Sequence, residues 1–90
     1  MLFSDIVPGA LITTVHAERG FSVFMYPTPE LQLAVGALDA LPFYDGVVIA
    51  RMTDAESIKA AGGVRRLPIM VLCSLTMRVG WISIYDVRAA

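Results

Sequence analysis

Two unbroken apolar runs, Val47-Val48-Ile49-Ala50 and Leu67-Pro68-Ile69-Met70-Val71-Leu72-Cys73, constrain the fold of this chain more than anything else in it. A strand with one wet face alternates apolar and polar residues. A run without alternation predicts a strand buried on both faces, as parallel strands are when helices cover them. Pro68 stands at the start of its run, where no ladder hydrogen bond is lost. Strands are therefore expected over 44–51 and 67–73.

The segments between carry helix signals. Leu11 with Val15, and Ile12 with His16, fall at helical spacing, and Arg19-Gly20 follows as a stop: a cation at the negative end of the dipole, then a residue that tolerates the left-handed cap. Phe21 to Tyr26 is aromatic and β-branched, a strand. Thr28-Pro29-Glu30 then reads as an N-cap, a first helical position and a favourable acid, with Leu31, Val35 and Leu38 on one face. Thr53-Asp54-Ala55-Glu56 has the capping-box spacing, and Gly62-Gly63 stops the short helix it opens. Met1 to Phe3 is at most a short first strand. Alternation of this kind predicts an α/β fold over 1–90, a single unit with a mostly parallel sheet flanked by helices. The last segment, 79–87, departs from it. Only Ser74 to Arg78 separates it from the preceding strand, too little for a crossover, so a direct pairing there is antiparallel.

Composition narrows the partners. Hydrophobic residues make up 57% of the 90, and the mean hydropathy is +0.69. A domain of this size buries only about 60–65% of the surface its unfolded chain exposes, so apolar surface is left over for a protein partner, a homo-oligomer first of all. Seven basic against eight acidic residues leave a net charge of −1, with no basic face for nucleic acid or for a membrane surface. Every long apolar run is interrupted, by Asp39 or by Arg65-Arg66, short of a membrane span. Asp5 stands where a signal peptide would carry a cation, and Pro8-Gly9 divides the apolar segment. The lone Cys73 excludes an internal disulfide and a multi-cysteine metal site. A cytoplasmic protein without metal or cofactor is the expectation.

The order of these segments resembles the receiver domain of bacterial response regulators, a flavodoxin-like fold. Glu18-Arg19-Gly20-Phe21-Ser22-Val23 is similar to the end of that family's first helix and its second strand. The stretch from Tyr44 to Asp54 is similar to its phosphoacceptor strand, and Leu67 to Ser74 to its fourth. The likeness covers about residues 2 to 74 and implies two-component signalling. It does not extend to the chemistry. The acceptor position falls on Ala50, with Ile49 and Arg51 beside it; of the first-strand acidic pair only Asp5 is present, next to Ser4; Cys73 takes the hydroxyl position with Ser74 beside it; and no lysine follows Lys59. Phosphoryl transfer depends on positioned charge, so each loss is costly. The resemblance implies a shortened pseudo-receiver whose former pocket is Asp5, Ala50, Cys73 and Ser74, acting as a signalling or protein-interaction module.

Sharper readings compete with plainer ones. Cys73 and His16 could form a nucleophile and base, but free cysteine is among the most buried residue types and no third orienting group is evident. Asp5 could be a relic metal ligand, though one carboxylate holds Mg²⁺ poorly. Gly62-Gly63-Val64-Arg65-Arg66 follows a helix, which gives the dipole the wrong sign for a phosphate loop. Trp81 and Tyr85 share one face of the last strand while Ile82 and Ile84 take the other, and all four are candidate interface residues because a terminal edge strand invites pairing. The alternative function is a small ligand-binding or enzymatic domain that uses the carboxyl edge of the sheet near Asp5, Met52 and Cys73. With Ala50 at the acceptor position, incubation with acetyl phosphate and Mg²⁺ is expected to leave the protein's mass unchanged by mass spectrometry; an aspartyl-phosphate adduct would refute that alignment.

Overall fold

The computed structural model describes residues 5–15, 23–30, 40–63 and 66–90. In Leu11-Ile12-Thr13-Thr14 the branched side chains favour a pleated backbone, and the alternation wins over the helical spacing: Ile12 and Thr14 are buried, Leu11 is exposed and Thr13 half-buried. This is β1 (Leu11–Thr14). It is followed by β2 (Val23–Met25), β3 (Leu41–Phe43), β4 (Asp45–Arg51), the helix α1 (Ala55–Ala60), β5 (Pro68–Cys73), β6 (Val79–Ser83) and β7 (Val87–Ala89), with a 3₁₀ turn over Ile84–Asp86. The expected short strand at 1–3, the carboxyl end of the first helix and the body of the second lie outside the described residues.

The expected flavodoxin-like, mostly parallel sheet flanked by helices is overturned. β6-β5-β4-β1-β7 form a five-stranded sheet and β2-β3 a two-stranded one, and every pair in both is antiparallel. One short helix, α1, stands among the described residues. Asp54 caps it, accepting from the Ser57 N–H at 2.8 Å and the Ser57 hydroxyl at 2.7 Å, one residue beyond the capping box the sequence suggests. These two bonds hold the Asp54 carboxyl below its ordinary range. Gly62 and Gly63, both at positive φ, stop the helix as expected. The single strand expected over 79–87 is two strands, β6 and β7, at opposite edges of the sheet.

That last division decides the shape. In a flat sheet Ser83, at the end of β6, and Val87, at the start of β7, would stand roughly 30 Å apart, counting strand spacing and register together. Four chain steps reach at most about 14 Å. The sheet therefore coils diagonally until its edges approach, the tilt and stagger of a small, partly closed barrel. The turn that joins them is tied to both sides: Ile84 N–H donates to Leu67 C=O at 3.1 Å, and Val15 N–H to Asp86 C=O at 3.0 Å. Ile84 itself is fully buried. The interior holds Ile6, Ile12, Val23, Met25, Phe43, Val48, Ile69, Val71, Cys73, Ile82, Ile84 and Val87.

Two glycines set the closest approaches. A Cβ on Gly46 would overlap the Leu72 carbonyl oxygen and come within 2.8 Å of Phe43 Cε2. One on Gly80 would meet the flexible Met25 side chain, at 2.9 Å from Cγ and 3.0 Å from Sδ. Gly46→Ala must shift backbone and is expected to cost about 3 kcal/mol, whereas Gly80→Ala costs about 1 kcal/mol because Met25 can move. Urea denaturation of the two variants checks this order.

Candidate interaction surface

Antiparallel partners share a face, so the register shows what the outside of the barrel is made of. Leu11 lies opposite Val47, Val47 opposite Leu72, and Leu72 opposite Val79. Their neighbours in the same strands, Ile12, Val48, Val71 and Ile82, are the buried ones. Leu11-Val47-Leu72-Val79 is thus an apolar row across four strands on the outer face. A second row runs beside it: Ala50 opposite Met70, Met70 opposite Trp81, and Trp81 bridged to Tyr26. The register shift in β4 between Val48 and Ala50 adds Ile49, which is exposed. No charged side chain stands in either row. The charges begin one row further, where Arg88 lies opposite Thr13 and Thr13 opposite Asp45.

An antiparallel sheet with one free face normally puts polar residues there. Here Leu11 is 65% exposed and Val79 53%, while Val47, Leu72, Met70 and Trp81 are half-buried. The sequence carried the signal for this surface in the unbroken runs of β4 and β5. The second apolar face, expected to lie under helices, is the outer face of the sheet, and no helix among the described residues covers it.

Two concavities flank this face. One of about 380 Å³ lies between the β2–β3 hairpin and β6 and is lined by Met25, Tyr26, Pro27, Leu41, Arg78, Val79 and Gly80. The other, about 420 Å³, is lined by Tyr44, Asp45, Ser74 and Leu75 beside the turn after β5. Nothing in the sequence reading singled out the first.

The residues expected to form a degenerate receiver pocket are not brought together. In parallel strands the carboxyl ends of β4 and β5 would share an edge. Antiparallel pairing sends them to opposite ends: Cys73 stands opposite Gly46, near the start of β4, and Ala50 opposite Met70. Cys73 points inward, fully buried, whereas Ala50 lies in an outer row. Ser74 is exposed in the turn beyond β5 and Asp5 is exposed ahead of the buried Ile6. The same geometry removes the carboxyl edge on which Asp5, Met52 and Cys73 were expected to meet. Among the four residues expected at an interface, Ile82 and Ile84 are fully buried in the core; Trp81 is half-buried in the second outer row and Tyr85 is 43% exposed on the 3₁₀ turn.

The Cys73 thiol feels opposed influences. Burial pushes its pKa up, but the Thr76 hydroxyl and the backbone at Thr76, Leu75 and Tyr44 together outweigh that and hold it below the ordinary value. Its Sγ donates weakly to Pro42 C=O at 4.0 Å. His16 lies outside the described residues. Among those described, no three His, Cys, Asp or Glu side chains cluster to hold a metal ion, and no helix is long and apolar enough to cross a membrane. No family model, curated protein or solved structure matches the chain.

Access, more than ionisation, controls the chemistry of Cys73. A maleimide is expected to label it about 100-fold more slowly in native buffer than in urea, because reaction waits for local opening. Comparable rates in the two conditions would contradict the burial.

Proposed function

We propose that the chain is a non-enzymatic protein-interaction module that pairs with a second copy of itself through the outer face of β1, β4, β5 and β6. The observation that supports this reading is the pair of aligned apolar rows, Leu11-Val47-Leu72-Val79 and Ala50-Met70-Trp81-Tyr26. Contiguous apolar surface bordered by charge is the composition of an interface: a core without ions and a polar rim, here Asp45 and Arg88. One fold can host unrelated functions, so the argument rests on the surface and not on the fold. A role as a pseudo-receiver loses its structural basis with the parallel sheet.

A second copy is the occupant that fits. A standard interface takes about 800 Å² from each partner, near one-seventh of the 5583 Å² this molecule exposes, which is a proportion that one face supplies. Identical uncharged rows meet without like-charge repulsion, and two-fold pairing is the commonest closed arrangement. Two such sheets would stack about 10 Å apart, burying the aromatic edge of Trp81.

Light scattering over a concentration series checks the reading. The wild type is expected at twice its 9.7 kDa monomer mass. Leu11→Glu combined with Val79→Glu, both at well exposed positions, is expected to weaken the dimer by about 100-fold or more while leaving the far-ultraviolet spectrum intact. A wild type that stays monomeric at the highest concentration refutes self-association.

A further inference from the structure

We infer that the cleft between β6 and the β2–β3 hairpin binds an extended, acidic peptide segment of a partner protein. The argument begins with the backbone. Trp81 N–H donates to Tyr26 C=O at 2.7 Å, and Tyr26 N–H donates to Trp81 C=O at 2.8 Å. Backbone groups along a strand alternate in direction, so Val79, two residues before Trp81, also directs its N–H and C=O toward the hairpin side. Arg78 points the other way, its C=O accepting from Cys73 N–H at 2.9 Å. In the register set by Tyr26 and Trp81, the partner of Val79 would be Thr28.

Thr28 does not serve. It sits between Pro27 and Pro29 in a run of bends, which takes it out of the ladder after the Tyr26–Trp81 bridge. The hairpin turns away after Tyr26, and the cleft of about 380 Å³ opens at the point where the pairing stops. Among the described residues nothing continues the ladder to Val79, whose N–H and C=O stand at the mouth as an edge-strand template for strand addition.

The lining defines the occupant. Met25, Tyr26, Pro27 and Leu41 form the walls, and Arg78 is the one charged residue among those lining the cleft. Arg78 is exposed, and among the described residues no carboxylate lines the cleft to neutralise it. A volume at the lower end of the range for ligand sites suits a few residues of extended chain and excludes a folded element. Such a segment would exchange two backbone hydrogen bonds with Val79, set an apolar side chain against Tyr26 and Leu41, and place a carboxylate on the Arg78 guanidinium, a fork geometry that matches that group. The cleft borders the self-pairing face and shares Tyr26 and Val79 with it, so light scattering on the same samples is what separates peptide binding from a change of oligomer mass.

The test uses blocked five-residue peptides that alternate Val with Glu or Val with Lys, titrated against the intact protein. Trp81 is the one tryptophan, adjacent to Gly80 in the cleft lining, so its emission reports occupancy. The Glu peptide is expected to bind at least about tenfold more tightly than the Lys peptide, and Arg78→Glu to reverse that preference. Methylating the peptide's central amide nitrogen is expected to weaken binding by about tenfold through loss of a backbone bond. Arg78→Gln, which removes charge without reversing it, is expected to bind both peptides alike and weakly. The inference is overturned if neither peptide binds at millimolar concentration, if the Glu and Lys peptides bind equally to the wild type, or if Arg78→Glu leaves the preference unchanged. Each of these outcomes is separable from the self-pairing reading, because light scattering on the same samples reports mass directly.

Discussion

Three residues between β6 and β7 govern the shape of the molecule. Because Ile84–Asp86 must carry the chain from one edge of the five-stranded sheet to the other, the sheet has no flat solution and coils into a barrel. Everything inside follows from that coil. Ile84 is drawn into the core at the closure, Gly46 lets β4 and β5 approach under Phe43, and Met25 folds over Gly80. The outside follows as well: with the inner positions taken by the barrel core, the remaining apolar residues of β4 and β5 have only the outer face to occupy.

Local features were legible in the sequence where they depend on neighbouring residues. The strand over 44–51, the strand over 67–73 with Pro68 at its start, and the stop at Gly62-Gly63 are properties of short stretches, and the structure contains each. Pairing was not legible, because direction is decided by what lies far along the chain. Leu11 to Val15 fits both a helical and a strand period over so few residues, and the choice falls to the partners that β1 finds in β4 and β7. Reading β1 as a helix then supplied a cover for the sheet that does not exist there. The expected parallel topology rests as much on the unbroken runs of β4 and β5, and the resemblance to receiver domains on the segments 18–23, 44–54 and 67–74.

The site was legible in part. Unbroken apolar runs truthfully report two apolar faces, yet a run cannot say whether the second face meets a helix of its own chain or another molecule. Residue type singles out Trp81, which stands in the second outer row. Ile82 and Ile84 were singled out beside it by alternation along one long strand. The 3₁₀ turn breaks that alternation, and both residues point inward. The cleft at Arg78 has no signal in the sequence, since it opens where a pairing between segments more than fifty residues apart stops after Tyr26.

The pairing of β1 with β7 joins segments more than seventy residues apart in the chain. Loop closure of that length is entropically expensive and is recovered only when the strand docks. The β4-β5-β6 meander needs no such closure, since its strands are consecutive in the sheet. On contact order it is the part expected to form first, with β7 docking last. During that interval both faces of β4 and β5 are open to water, so the apolar outer rows are the segment most prone to misassociation on the way to the native state. Translation rate and chaperone access, and not only equilibrium stability, would then govern how much of this chain reaches its folded form.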